Sequence, residues 1–142
     1  MSVMQISVQL DNVPGTLSKL TSILDNEDIT AKAMLAASTA ESSTVRLVVS
    51  EPSRAAAILE SFHFNYEITP VLAAEVPLHP GGIKAILKHL SNSEVNILYL
   101  YTTIERIGKE TIVILGVDKI DEAREILKQN WIRLVEDEIY SL

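Results

Sequence analysis

Cysteine is absent from the 142 residues of this chain. Its absence excludes disulfides, thiolate metal sites and a cysteine nucleophile. Basic residues are few, because 12 Lys and Arg face 19 Asp and Glu and leave a formal charge of −7 at pH 7. A nucleic-acid-binding surface needs positive charge to neutralise phosphates, so the sequence predicts no nucleic-acid partner.

Long apolar runs are also missing, although 47% of the residues are hydrophobic. No stretch reaches the roughly 18 apolar residues that a membrane span needs. The first ten residues, MSVMQISVQL, lack the basic segment and the following apolar segment of a signal peptide. We therefore expect a soluble, cytoplasmic protein with no membrane partner and with enough apolar material for one ordinary core or two small ones.

The chain repeats itself. Pro14-Gly15 returns as Pro80-Gly81, at an offset of 66 between position 14 and position 80. The offset then grows to 68, as if one turn had gained two residues. Six identities keep this second register, matching Val45, Leu47, Val49, Ala55, Ile58 and Leu59 with Val113, Leu115, Val117, Ala123, Ile126 and Leu127. A register kept through turn, helix and strand indicates two copies of one unit, residues 1–70 and 71–142.

The first copy predicts the element order βαββαβ. Its first strand, MQISVQLD, alternates apolar and polar residues, which is typical of a strand with one buried face and one polar face. Leu17, Leu20 and Leu24 then recur at helical spacing. Similar patterns predict the other elements: strands through TAKAMLAAST and VRLVVS, a helix through EPSRAAAILESF with Pro52 in its first turn, and a closing strand YEITP.

The second copy predicts the same order through VLAAEVP, GGIKAILKHLS, NILYLYTTI, TIVILGV, KIDEAREILKQ and WIRLVE, with a turn at RIGKE. Asp118 is placed to cap its last helix. Tyr99 and Tyr101 share a strand face with Ile97, and we expect them to pack against the neighbouring sheet or domain. Trp131 is expected in the core or in an interface.

With right-handed crossovers, βαββαβ is the ferredoxin-like arrangement, an antiparallel sheet with both helices on one face. The predicted fold class is therefore α+β, with two such units held rigidly because no Gly- or Pro-rich linker separates them. This fold has many functions. An RNA-recognition module would need exposed aromatic residues on its central strands and a basic surface, and a metal carrier would need cysteines. The sequence provides neither.

The segments LDNVPGTL and NEDITAKAM of the first copy, with VPLHPGGI and SEVNILYLY of the second, resemble the ACT domain, a small regulatory module that binds amino acids. The resemblance covers essentially the whole chain as two tandem copies. It implies that the domains pair through the edge strand that follows the first helix. It also implies that an amino acid effector binds where the strand-to-helix loop of one domain faces its neighbour, in a free-standing regulator without a catalytic domain.

The resemblance implies a ligand site at the two loops and at the strands that follow the first helix of each copy. Its residues are Asn12, Val13, Pro14, Gly15, Thr16, Leu17 and Thr30, and Leu78, His79, Pro80, Gly81, Gly82, Ile83 and Asn96. The chemistry suits a zwitterion. The first turn of a helix has unpaired N–H groups and a partial positive charge that favour a carboxylate, glycine allows close approach, and an asparagine amide both donates and accepts.

Some amino-acid-binding ACT domains place one Asn before the Pro-Gly loop and another at the start of the following strand. The first copy has Asn12 and Thr30 at these positions, and the second has Leu78 and Asn96. A mixed site, in which the Asn12 loop faces the Asn96 strand, would restore the pair. Three alternatives stay open: Asn12 only caps the helix, Pro-Gly is only a turn, or the second loop is empty or lined for an apolar side chain.

Three classes of function remain open. The first is a non-catalytic regulator that binds an amino acid between ACT-like domains and acts through a conformational or assembly change. The second is a ligand-free interaction protein that recruits or regulates a metabolic enzyme. The third is an enzyme, against which stands the lack of any Ser/His/Asp or paired-carboxylate spacing that one site could use. No catalytic residue, metal site or cofactor is predicted.

A homodimer is expected. Strand edges invite pairing, and the apolar strand NILYLYTTI would be a poor surface to leave in water. The acidic tail VEDEIYSL is expected to be solvated, with Ile139 and Leu142 anchored on a partner surface.

Overall fold

The predicted elements are present in the predicted order in a computed structural model that describes residues 2–76, 79–104 and 111–142. The turn predicted at RIGKE and the candidate site residue Leu78 lie outside these ranges. The elements are β1 Val3–Asp11, α1 Thr16–Asn26, β2 Ala31–Ser38, β3 Ser42–Val49, α2 Pro52–Ser61, β4 Asn65–Val76, α3 Gly82–Asn92, β5 Ile97–Thr102, β6 Thr111–Val117, α4 Ile120–Gln129, β7 Leu134–Val135 and a 3₁₀ turn Asp137–Ser141.

The described strands form one seven-stranded antiparallel sheet, in the order β2-β3-β1-β4-β6-β5, with β7 also paired to β4. The long strand β4 joins the two repeats, because β1 pairs with residues 65–71 and β6 pairs with residues 72–76. The boundary predicted between residues 70 and 71 falls inside this strand. The α+β class with two βαββαβ units is confirmed.

The sheet curls until its two end strands meet. Ala33 of β2 forms an isolated antiparallel bridge with Thr103, just beyond β5, and the N–H of Ile104 donates to the carbonyl of Lys32 at 2.8 Å. These two end strands are the ones that follow the first helix of each repeat. Their contact gives the sheet a concave inner face and a convex outer face.

Alternate residues of the strands point outward, where the α-helices cover them. In the first repeat α1 and α2 pack on a core that includes Ile6, Val8, Leu20, Leu24, Leu47 and Leu59. In the second repeat α3 and α4 pack on the equivalent core, which includes Leu72, Ile86, Leu90, Val113, Leu115 and Leu127. Both helices of each repeat thus lie on one face of the sheet, as predicted.

The concave face has its own apolar core, which the C-terminal tail covers. This core includes Val3, Ala33, Val48, Val71, Ala73, Ile112, Ile114, Val135 and Ile139. Ile139 is fully buried, the Tyr140 hydroxyl accepts a hydrogen bond from the N–H of Met4 at 2.9 Å, and Lys32 bonds the carbonyl of Leu142. The prediction that Ile139 and Leu142 anchor on a partner is therefore wrong, because none of the described α-helices packs on the inner face and the tail covers it instead.

Each described α-helix ends in the same closure. The residue two positions after the last helical residue is left-handed, with φ between 57° and 63° at Asp28, His63, Glu94 and Trp131. At α4 the N–H of Trp131 donates to the carbonyl of Lys128 and the N–H of Ile132 to that of Leu127, which is the Schellman pattern. Trp131 is 94% exposed and lies outside the short strand β7. Its expected place in the core is wrong, because this closure turns the side chain outward.

We expect Trp131→Gly to raise the free energy of unfolding by about 0.5–1 kcal/mol, because left-handed backbone costs a residue with a Cβ about 1–2 kcal/mol and part of the gain is lost to unfolded-chain entropy. Urea denaturation followed by far-UV circular dichroism measures the change. Trp131→Ala is the control, because it removes the indole but keeps the Cβ. An equal gain in both variants would attribute the effect to the indole and contradict the backbone explanation.

Candidate functional site

The two Pro-Gly loops have the same geometry. Gly15 (φ 91°) and Gly81 (φ 90°) are the N-cap residues of α1 and α3. A Cβ at either glycine would meet nothing within 4 Å, so glycine is required for the left-handed backbone and not for space. In the first turn of α1, the N–H of Leu17 has no hydrogen-bond partner among the described residues, and the same holds for Ile83 in α3. Both loops therefore present free donors at a helix N-terminus.

Asn12 does not cap α1. Its side-chain Nδ2 donates to the carbonyl of Thr39 at 3.0 Å and so ties the first loop to the β2–β3 turn. Thr16 donates through Oγ1 to the carbonyl of Asp11 at 3.0 Å. The capping alternative for Asn12 is wrong, and the amide oxygen of Asn12 remains available to an external donor. Val13, Pro14 and Leu17 are exposed around it.

Within one repeat, the loop and the strand start lie at opposite ends of the sheet. Asp11 at the end of β1 pairs with Ser42, whereas Ala31 at the start of β2 pairs with Val49, the last residue of β3. Asn12 and Thr30 are therefore separated by about the length of α1, whose 11 residues span roughly 16 Å. A ligand of amino acid size cannot contact both.

Between repeats, each loop lies at the same end of the sheet as the other repeat's strand start. Ile97 at the start of β5 pairs with Val117 at the end of β6. Along β4 the two repeats are offset, because Val117 is level with Pro70, which pairs with Met4 at the start of β1. Across the contact of the end strands, β5 runs antiparallel to β2, so Asn96 at its start lies toward the β2–β3 turn to which Asn12 is bonded, and Thr30 lies beside Ile104.

The second loop borders a cleft of about 610 Å³. Its lining residues are Val76, His79, Pro80, Gly81, Gly82, Ile83, Lys84 and Thr111. The structure thus gathers five of the predicted loop residues around one largely apolar cleft, with the Lys84 side chain as its cationic group. Thr30 instead lines a smaller cavity of about 80 Å³ together with Ala31, Lys32 and Ile104, where β2 meets the end of β5.

Asn96 lines a separate cleft of about 470 Å³ with Leu87, Ser91, Glu94, Val95 and Ile97. Its backbone N–H donates to Oδ1 of Asp118 at 2.9 Å. The predicted role of Asp118 as a helix cap is therefore wrong: the N-cap of α4 is Lys119, and the Asp118 carboxylate fixes the start of β5 instead.

A polar cluster on the concave face was missed by the sequence analysis. Gln5 is fully buried, although the strand pattern predicted a solvent-facing position. Its Nε2 donates to the hydroxyl of Tyr99 at 2.8 Å, and its Oε1 accepts from the hydroxyl of Tyr101 at 2.6 Å. Burial, with a smaller effect of the neighbouring Tyr99, raises the pKa of Tyr101 far above its usual value. The two tyrosines of the second repeat thus bind a side chain of the first.

Tyr99 packs directly on Gly116 of the neighbouring strand, since a Cβ at Gly116 would lie 2.1 Å from the Cζ atom of Tyr99. An isolated glycine inside the apolar run TIVILGV was the available signal for such a close approach. Packing of both tyrosines between the repeats is confirmed, but Ile97 does not share their face. A bulge between Ile97 and Tyr99 turns Ile97 to the outer core under the helices.

Neither a metal site nor a membrane-spanning helix is present in the part of the chain that the structure describes. Within residues 2–76, 79–104 and 111–142, no group of three or more His, Cys, Asp or Glu side chains is placed to hold a metal ion. No helix in the same ranges is long and apolar enough to cross a membrane.

Comparison with known proteins gives a consistent result. A solved structure from Bacteroides thetaiotaomicron matches with a TM-score of 0.92 at 30% identity, covering 100% of this chain and 98% of that one. Regulatory subunits of aspartate kinase match at lower identity: the ligand-free form from Thermus thermophilus has a TM-score of 0.62 at 15% identity over 89% of this chain and 90% of that one. The subunit from Thermus flavus has a TM-score of 0.63 at 13% identity over 90% of each chain.

These two regulatory subunits are similar in fold. No curated protein gives a significant match. The family model for the ACT domain pair matches residues 1–141, and ACT domains are regulatory modules rather than catalytic ones. Because that match spans almost the whole sequence, this chain belongs to the ACT domain pair family.

Proposed function

We propose that this protein is a non-catalytic regulator that binds a small amino acid in mixed sites, each built from the loop of one repeat and the strand start of the other. The observation that supports the proposal is the contact of the end strands, across which Thr30 lies beside Ile104 and β5 runs back toward the β2–β3 turn that Asn12 binds. A site within one repeat would have to span the length of α1.

At the first site, the ligand's carboxylate binds the free N–H groups in the first turn of α1, where the helix dipole adds favourable potential. The amide oxygen of Asn12 accepts from the ligand's ammonium, while its Nδ2 stays bonded to Thr39. Asn96 supplies a second amide from the opposite repeat.

At the second site, Lys84 and the first turn of α3 bind the carboxylate, and Val76 and Ile83 line an apolar place for the ligand's side chain. The two sites therefore select different ligands or bind one ligand with different affinities. A polar amino acid suits the first site, and an apolar one suits the second.

Regulation follows from where the ligand binds. A ligand that contacts both repeats stabilises the relative position of the repeats that it binds more tightly, by the difference between its binding free energies for that position and for any other. A metabolic enzyme that binds one of these relative positions would therefore respond to the ligand. The homodimer and the cytoplasmic location remain predictions, and the case for the dimer loses one argument because Tyr99 and Tyr101 face the chain's own interior.

Calorimetric titration with the common amino acids, followed by Asn12→Ala and Asn96→Ala, tests the proposal. Each variant is expected to weaken the same binding event about tenfold or more, since a hydrogen bond to a charged group contributes about 1.5–3 kcal/mol. Asn26→Ala is the matched control, because Asn26 is exposed at the far end of α1. A variant that keeps full affinity would contradict the mixed site, and a blank screen would favour the ligand-free interaction protein.

A further inference from the structure

Arg46 on β3 differs from the other described arginines. Arg54, Arg124 and Arg133 form ion pairs with carboxylates at 2.8–3.5 Å. No hydrogen bond or ion pair joins the Arg46 guanidinium to any residue that the structure describes, although the chain has an excess of acidic residues. Instead, its Cζ atom lies 4.2 Å from the centroid of the Tyr99 ring.

This position fixes the guanidinium and leaves its donors without a hydrogen-bond acceptor in residues 2–76, 79–104 and 111–142. The side chain is half-buried on the concave face, where the Tyr99 ring covers one side of the guanidinium plane. Tyr99 is itself held by its hydrogen bond to Gln5 and by its packing on Gly116. Five N–H donors on a planar group match the two oxygens of a carboxylate in a way that no lysine can.

Leu35 pairs directly with Arg46 on one side of β3 and packs on the concave core, whereas the neighbours on the other side are polar. Ser7 pairs directly with Arg46 on one side and with Glu67 on the other, and its hydroxyl accepts a hydrogen bond from Gln5 at 3.3 Å. Thr44 lies two residues before Arg46 on the same face. Glu67 is two strand spacings from Arg46, about 10 Å between backbones, and forms no ion pair with it. The surface around Arg46 thus combines a cation that has no ion-pair partner among the described residues with hydroxyl groups and the apolar side chain of Leu35.

We propose that Arg46 binds the carboxylate of a small molecule on the concave face, with Ser7 beside it and the Tyr99 ring beneath it. This site is distinct from the two loops, which lie at the ends of the sheet, and it does not rest on the function proposed above. Arg46 and Ser7 belong to the first repeat and Tyr99 to the second. A carboxylate bound there is held by a guanidinium of the first repeat that the Tyr99 ring of the second repeat positions, so binding favours the curled sheet.

Titration of the isotopically labelled protein with sodium succinate tests this site by NMR. We expect a saturable shift of the Arg46 Nε–H resonance and of the Tyr99 ring resonances, absent in Arg46→Gln and retained in Arg54→Gln. Arg46→Lys keeps the charge over the ring but lacks the planar fork, so it should bind at least about tenfold more weakly. It also keeps the test decisive if Arg46→Gln fails to fold.

Three results would overturn the site. The first is no saturable shift up to about 10 mM succinate, tenfold above a millimolar dissociation constant. The second is an equal response to sodium sulfate at matched ionic strength, which would indicate a general anion effect. The third is a response confined to residues near Gly15 or Gly81, which would support the loop sites and exclude Arg46.

Discussion

Gly116→Ala is expected to lower the free energy of unfolding by about 3 kcal/mol, near the upper end of the range for overpacked cores. The added Cβ would lie 2.1 Å from Cζ and 2.3 Å from Cε1 of Tyr99. Tyr99 cannot yield freely, because its hydroxyl is bonded to Gln5 and its ring carries the Arg46 guanidinium. One added methyl group must therefore disturb two contacts between the repeats, the Gln5–Tyr99 hydrogen bond and the stacking of Arg46 on Tyr99.

A double-mutant cycle with Tyr99→Ala tests the cause. Tyr99→Ala destabilises the protein by itself, but it removes the ring that the new Cβ would meet. In that background, Gly116→Ala should cost less than about 1 kcal/mol, the range of an ordinary strand substitution. Urea denaturation followed by circular dichroism gives both values. An equal cost in the two backgrounds would show that the glycine is needed for a reason other than Tyr99.

Ile139→Ala is expected to cost about 2–4 kcal/mol, the range for deleting a fully buried isoleucine side chain down to alanine. Ile139 has no solvent exposure and packs on the concave core with residues of both repeats. The substitution leaves a cavity between the 3₁₀ turn and the sheet, which the neighbouring strands cannot close without changing their curl. Thermal and urea denaturation measure the loss.

Two controls separate this effect from a general sensitivity of the chain. Ile104→Ala makes the same change at a side chain that is 68% exposed, so it should stay within about 0.5 kcal/mol of the parent. Tyr140→Phe keeps the ring in the tail but loses the hydrogen bond from Met4, a loss of about 0.5–1.5 kcal/mol. If Ile139→Ala cost no more than Ile104→Ala, the tail would not be packed on the concave face.

The sequence predicted those features that depend on short-range pattern. Residues at strand and helix spacing gave the order of the elements, and the Pro14-Gly15 and Pro80-Gly81 pairs located the two helix starts within a residue. The repeat gave the family, because one unit that occurs twice in register carries its motif twice. These features are local, since burial of one face and closure of one turn depend on residues that are neighbours along the chain.

The spacing of apolar residues could not show which other parts of the chain pack against the polar face of a strand. The alternation in β1 correctly placed Ile6 and Val8 on one face and Gln5 on the other, but it assigned Gln5 to solvent. Alternating apolar and polar residues show which face of a strand a side chain is on, but they do not show that the sheet curls and encloses that face. The bulge at Ile97 and the packing of the tail were missed because they depend on contacts between residues far apart in the chain. The outward turn of Trp131 follows from the local closure of α4, which the sequence analysis did not predict.

By itself, the sequence determined the two ACT-like units, their secondary structure and the loops that are candidates for binding. The tertiary structure alone decided how the two units meet: one sheet joined through β4, curled so that Ala33 reaches Thr103. That curl turns the start of β5, and with it Asn96, toward the β2–β3 turn to which Asn12 is bonded. It also brings Arg46 onto Tyr99. The physical reason is that strand pairing and curvature are set by the sum of long-range contacts, which no local segment encodes.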